Sequence, residues 1–333
     1  MRGFFVLCTV CYAMGVLAQD ERKSPTQTFD HFPITIETAH GITRIAQQPQ
    51  RVITLGTAAQ DWCVLLGVIP VAIEAEYWGG DKEGYTPWFR DKLQTLGAQL
   101  PPVLSSYPEL NIEKVIALKP DLVLAPYSGM SAETYKQLST FVPVISYPKT
   151  PWLISAKEQA LLIGKALGRS KDAQALVKQQ DQFYQKLKQN YPHYQGLKMA
   201  YVHASYRSGQ LNAYAQQDPR MSIFLKLGFQ QLPQLVKMEQ KNKQFFIPVG
   251  LESANILDEA DLIISWFSSE AAKQQMMHIP LIQRIPAVRS HHFLALTDRQ
   301  IITALSSENP LSLAWSVPRF MQKLQRAALG QGE

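Results

Sequence analysis

Cysteine is almost missing from this chain. Only three of its 333 residues are cysteine, and Cys8 and Cys11 both sit in the first apolar run. Loss of that run as a leader leaves Cys63 alone, which excludes an internal disulfide. Cys63 lies in an apolar helical pattern, AAQDWCVLLG, and reads as a small buried hydrophobe. Long hydrophobic runs are equally scarce. The one at the start, MRGFFVLCTVCYAMGVLAQD, has Arg2, an apolar stretch from Phe4 to Leu17, and the small residue Ala18. It is too short to span a bilayer and reads as a signal peptide, residues 1–18, cleaved after Ala18. Leu7 and Val10 stand before the two early cysteines, where a lipid anchor needs a small residue. An exported chain without disulfides fits a bacterial periplasm better than the extracellular medium.

Catalytic signatures are missing too. There is no G-x-S-x-G elbow, no H-E-x-x-H, no Walker A loop, no G-x-G-x-x-G and no evident Ser-His-Asp set, which weighs against an exported α/β hydrolase. His203, His291 and His292 have no carboxylates at metal-ligand spacing, so no metal site is expected. Lysines and arginines form no block with interleaved aromatics, which argues against nucleic acid. The net charge is nonetheless +6, a balance that suits anionic small ligands while speaking first to solubility and steering.

What the chain does have is a globular composition, 46% hydrophobic and 18% charged, with length for about two domains. Strand and helix patterns alternate on both sides of one long helical stretch, Trp152 to Tyr191. Apolar residues recur there every three or four positions, one stripe per helix, on either side of Gly168-Arg169-Ser170. Gly168 reads as the C′ residue of the first helix and Ser170 as the N-cap of the second. The expected layout is an N-terminal lobe over 19–150, a linking helical segment over 151–191 and a C-terminal lobe over 192–333. An ordinary crossover helix inside one large domain is the plainer alternative. Before the link, TFDHFPITIETAHGITRI suggests a hairpin turning at His40-Gly41, and RVITLG, VIPVAIEA, DLVLAP and VPVISYP read as buried strands. After it, LKMAYVHAS, FFIPVG and DLIISWF repeat that grammar. The amphipathic LSLAWSVPRFMQKLQRAAL is expected to cap the second lobe. The stretch from Ile112-Glu113 to Leu124 matches Leu251-Glu252 to Ile264 with one inserted residue, an echo between halves.

PQRVITLG, LLGVIPVAIEA, NIEKVIALKPDLVLAP and VGLESANILDEADLIISW together resemble the substrate-binding proteins of bacterial iron-siderophore ABC importers. The resemblance covers nearly all of the chain after the leader, and haem- and cobalamin-binding proteins share the architecture. It implies an α/β fold of two Rossmann-like lobes joined by a single long helix, with the ligand in the cleft between them. GYTPWFRDKL, YKQLSTFVPVISY, DPRMSIFLKLGF and PLSLAWSVPRF favour the ferric-siderophore branch. The implied function is delivery of a ferric siderophore to an ABC permease in the inner membrane, by a monomer without catalysis. Iron would enter only inside its chelator, so no cofactor of the protein's own is expected.

Such a ligand needs guanidinium groups for its oxygens and flat rings for its organic arms. The first lobe offers Tyr77, Trp78, Tyr85, Trp88 and Arg90 in one loop, and Tyr127 at a strand end. The second offers Tyr206, Arg207, Tyr214, Arg220 and, at the matching strand end, Trp266. Each has a plainer reading. Trp88 after Pro87 equally packs on its own helix, Arg90 equally faces solvent, Arg207 is equally a loop-tip charge, and Arg220 after Asp218-Pro219 equally just starts a helix. If the ligand were haem, Tyr77, Tyr85 or Tyr127 would be the axial candidates. The resemblance also implies that one exposed glutamate on each lobe, Glu113 and Glu252, docks on the permease. First-turn glutamates favoured by the helix dipole are the alternative.

Overall fold

The computed structural model describes residues 30–106, 109–205, 210–241 and 246–332. The expected signal peptide, Tyr206 and Arg207 lie outside them.

A hairpin, β1 (Ile34–Thr38) and β2 (Gly41–Ile45), turns where the alternating pattern predicts, and its buried side packs Ile34, Ile36 and Ile45 into the first core. The first lobe then runs β3 (Val52–Thr54), α1 (Ala59–Leu65), β4 (Ala72–Glu74), α2 (Pro87–Thr95), β5 (Val103–Leu104), α3 (Ile112–Ala117), β6 (Leu122–Leu124), α4 (Ala132–Ser139) and β7 (Val144–Ile145). These strands form a parallel sheet ordered β5-β4-β3-β6-β7. The order reverses between β3 and β6. A sheet covered by helices on both faces buries both sides of each strand, which is why these strands read as unbroken apolar runs. Helix starts follow local chemistry: Asn111 accepts from the Lys114 amide and Ser131 from the Thr134 amide.

The link consists of α5 (Ala156–Ala166) and α6 (Ser170–Asn190). It departs from the expectation at two points. Helix begins only after Ser155, whose side chain and that of Glu158 form a capping box, so Trp152 stays outside it. Ser170 is the first helical residue of α6 rather than its cap. Gly168, at φ +69°, does end α5 as expected. The 21 residues of α6 span about 30 Å. Its first half puts Ala173 and Val177 into the first lobe's core, and its second half puts Tyr184 and Leu187 into the other lobe's core. The rod is therefore anchored by apolar burial at both ends.

The second lobe contains β8 (Lys198–Ser205), β9 (Gln210–Tyr214), α7 (Pro219–Leu227), β10 (Gln230–Gln231), α8 (Pro233–Lys241), β11 (Phe246–Gly250), a 3₁₀ segment (Leu251–Leu257) and β12 (Leu262–Trp266). It closes with α9 (Glu270–Met277), α10 (Pro280–Arg284), α11 (Pro286–Arg289), β13 (Phe293–Leu296), α12 (Arg299–Ser306) and α13 (Pro310–Ala328). The sheet order is β11-β9-β8-β12-β13, with β10 beside the start of β8; β9 and β11 run antiparallel to their neighbours. Here too the order reverses next to the first strand, between β8 and β12.

Helix α13 does more than cap the second lobe. Leu313, Val317, Phe320 and Leu324 fill that core, while Trp315 meets Trp88 of the first lobe with ring centres 5.6 Å apart. Among the described residues no helix is long and apolar enough to cross a membrane.

Candidate functional site

In open α/β sheets, the loops flanking the point where strand order reverses splay apart and leave a crevice at the carboxyl ends of the strands. This chain has two such points. In the first lobe, the loops after β3 and β6 touch backbone to backbone: the Thr57 amide donates to the Tyr127 carbonyl at 2.9 Å. A Cβ on Gly56 would collide with that carbonyl, and Gly56 has φ +78°, so only glycine fits there. In the second lobe, His203 of β8 and Trp266 of β12 are register partners, and their rings stack at 3.9 Å, 10° from parallel.

A network grows from Trp266. Its indole N–H donates to the Tyr214 hydroxyl at 2.7 Å, and Nη1 of Arg220 donates to the same oxygen at 3.1 Å. The Arg220 guanidinium lies over the Tyr214 ring, 3.9 Å from its centre. It also grips Asp218 with two hydrogen bonds of 2.7 Å. Asp218 is buried and caps α7 by accepting the Arg220 amide. Burial opposes the charge on Arg220, but the Asp218 carboxylate outweighs it and holds the guanidinium protonated. Burial pushes His203 below the usual imidazole range, so the ring stacked on Trp266 is neutral at pH 7. Tyr127 is buried, its hydroxyl pushed up first by desolvation and then by Asp218 across the cleft, partly countered by Arg220. The lobes also meet at Trp78, which sits edge-on to Trp266 with centres 5.6 Å apart. Arg299 of α12 lies over the Trp78 ring, 5.7 Å from its centre, and donates to the Ser268 carbonyl.

Trp78, Tyr127, Tyr214, Arg220 and Trp266 are thus gathered between the two reversal points. Trp88 and Arg90 are not. Trp88 is 3% exposed and gives its indole N–H to Asp61 at 2.7 Å, the packing role that Pro87-Trp88 left open. Arg90 folds back on its own loop, bonding Asp81 and Glu83 at 2.6 Å each. Tyr85 donates its hydroxyl to the Pro101 carbonyl.

Beside Tyr127 opens a cavity of about 460 Å³, within the roughly 300–1,000 Å³ of small-molecule sites. Glu74 at the end of β4, with Leu55, Ser106 and Ser128 from the loops that follow β3, β5 and β6, lines it together with Trp152. The Trp152 ring meets Tyr127 edge-on at 5.8 Å. Sequence reasoning passed over Trp152 because it reads as helical there, though it precedes the Ser155 cap. Glu74 carried a signal, a lone carboxylate closing a buried strand. His203, to which sequence reasoning assigned no ligand role, lines the second reversal point. Glu113 and Glu252 are exposed, each in the first turn of the short helix leading into β6 or β12. Among the described residues no three His, Cys, Asp or Glu side chains gather as a metal site.

Comparison with known proteins extends this geometry. The Fe(3+) dicitrate-binding periplasmic protein FecB of Escherichia coli K12 is 23% identical over 262 residues, covering 78% of this chain and 80% of FecB. The crystal structure of Streptococcus pneumoniae TIGR4 PiaA in complex with ferrichrome superimposes with a TM-score of 0.82 at 25% identity, over 89% of this chain and 99% of PiaA. Staphylococcus aureus SirA complexed with staphyloferrin B gives a TM-score of 0.70 at 25% identity, over 87% and 98%. The family model described as periplasmic binding protein matches residues 52–300, spanning both sheets and the helices between them. The chain therefore belongs to the periplasmic binding protein family.

Proposed function

We propose that this protein captures a ferric siderophore in the periplasm and delivers it to an ABC importer, binding without catalysis. The observation that carries this reading is the convergence of aromatic side chains from both lobes, Tyr127 from one and Tyr214 and Trp266 from the other, on one cleft in a chain that follows ferrichrome-bound PiaA over almost its whole length. Rings offer flat, stiff walls to the organic shell of a chelate whose iron needs no further ligand. Trp78, Tyr127, Tyr214, Arg220 and Trp266 are assigned to the ligand; Trp88 and Arg90 are assigned to packing and loop closure. Haem is the weaker reading, since the Tyr85 hydroxyl is committed to Pro101 and Tyr127 is buried, which leaves the exposed Tyr77 as the one accessible axial candidate.

The helix bridging the lobes limits closure to small movements, because it is packed into both cores. Glu113 and Glu252 are assigned to docking on the permease, one per lobe. Titration with a panel of ferric siderophores, read by tryptophan fluorescence, tests the function. Quenching by at least one at sub-micromolar concentration is expected. A flat response across the panel, with a Soret band on mixing with haemin, would replace siderophore with haem.

A further inference from the structure

The cavity beside Tyr127 differs in charge from the chain as a whole. Glu74, Glu109 and Glu133 line it together with the hydroxyls of Ser106, Ser128, Ser131 and Thr134, and none of the described residues around it is lysine or arginine. Glu74 is fixed in place, accepting the Gly56 amide at 2.5 Å and the Ser106 hydroxyl, which ties the loops after β3 and β5 to the end of β4. Glu109 and Glu133 stand exposed at the rim. The N-terminus of α4 also points here, since Ser131 is its cap, and contributes a partial positive charge of about half a unit. Three full negative charges outweigh it. Of the cleft's arginines, Arg220 is bidentate with a buried aspartate, so that pair presents little net charge to a ligand, and Arg299 lies over Trp78 and does not line this cavity. Arg90 is similarly spent on Asp81 and Glu83.

Among the described residues lining this cavity a polyanionic chelate would therefore meet three carboxylates and no lysine or arginine, whereas a protonated amine or a hydroxyl-bearing arm would find acceptors and an indole wall. Resting on the siderophore reading above, we infer that the ligand class is a ferric chelate of zero or positive net charge, with a protonated amine or hydroxyl arm seated against Glu74, Glu109, Glu133 and Trp152. The overall net charge of +6 points the other way, but charge spread over a surface steers encounter, while the groups within a few ångströms decide the bound state.

The test compares three iron chelates by tryptophan fluorescence: an uncharged cyclic tris-hydroxamate, a linear tris-hydroxamate ending in a primary amine, and a triply anionic tris-catecholate. The amine-bearing chelate should bind at least as tightly as the uncharged one, and both more tightly than the anion. The double variant Glu109→Gln, Glu133→Gln should fold as the wild type does, because both side chains are exposed at the rim. It should weaken the amine-bearing chelate by about five- to tenfold and change the uncharged one by less than about twofold. Tightest binding of the tris-catecholate, or equal effects of the double variant on all three, overturns the inference while leaving the siderophore reading intact. Failure of all three chelates to bind overturns both.

Discussion

Asn309 donates its side-chain amide to the carboxylate of Asp61 at 2.7 Å, joining the start of α13 to the first lobe with both residues fully buried. Trp88 donates to the same oxygen, and the other carboxylate oxygen has no partner among the described residues. The preceding residue, Glu308, is also buried and accepts from Gln180 and Tyr184 of α6 and from Lys226 of α7. Two consecutive residues thus fasten the first lobe, the linking helix and the second lobe to one another.

This joint makes stability depend on pH. Burial pushes the Asp61 carboxyl from 3.8 up to about 7, despite the lowering effect of the bonds from Trp88 and Asn309. Between those values the folded chain holds a proton that the unfolded chain has released, so stability falls as pH rises from about 4 to 7 and is level above. The full effect is on the order of 4 kcal/mol, at 1.36 kcal/mol per unit. Asp61→Asn removes the titration but keeps the shape. Relative to that variant, the wild type should gain melting temperature as pH is lowered from 8 to 5. A difference between the two that stays constant across this range would show that Asp61 titrates normally.

Arg220→Ala should cost stability as well as affinity. It would leave the Asp218 carboxylate buried without its partner, a loss of about 3–5 kcal/mol. The double variant Asp218→Asn, Arg220→Met should recover most of that stability and still bind ligand weakly, because the guanidinium over Tyr214 is gone. Urea unfolding measured beside ligand titration separates the two effects. Full stability in Arg220→Ala would mean that Asp218 finds another partner.

How far the chain's order could be read in advance depends on the range of the interactions that decide it. Apolar runs such as Leu122–Leu124 and caps such as Ser131 act within a few residues, so strands and helix starts were legible. The placing of Tyr127, three residues past β6, and Trp266, the last residue of β12, at the ends of matching strands followed from the echo between halves to within one position. What was hidden was pairing across the chain. Arg90 looks like a ligand-binding charge until Asp81, nine positions back, is seen closed on it, and Tyr214 gives no local sign of the bond it takes from Trp266, 52 positions away. Trp88 looks like a cleft ring until Asp61, 27 positions away, takes its N–H. The Ser155 cap is a local sign that Trp152 stays outside the helix, but nothing nearby shows that its φ of +60° sets it against Tyr127.

The contact between α5 and α6 gives a third prediction. A Cβ on Gly164 would collide with that of Ala173, on the turn of α6 that enters the first core. Alanine is the better helix former by about 1 kcal/mol, but the clash is with a short side chain on a packed helix and cannot be relieved by rotation. Gly164→Ala should therefore destabilise by about 1–3 kcal/mol in urea unfolding, and Gly164→Val by more. A stabilised Gly164→Ala would show that the two helices can slide apart at this point.

Glu113 and Glu252 offer a test of delivery apart from capture. Each is exposed, each lies in the first turn of the helix that feeds the strand next to its lobe's reversal point, and they sit on different lobes. A permease gripping both would read the spacing of the lobes, and so whether the cleft is filled, by a difference in affinity between the two states. Neither carboxylate lies in the cleft network, so the double variant Glu113→Ala, Glu252→Ala should bind its siderophore within about twofold of wild type and keep its melting temperature, as surface changes usually do. Uptake of iron-loaded siderophore by cells carrying only this variant should fall several-fold, and each single variant should show part of the loss. Normal uptake would assign these glutamates to the helix dipole alone, and reduced uptake with equally reduced binding would place their effect on the cleft instead of on the permease.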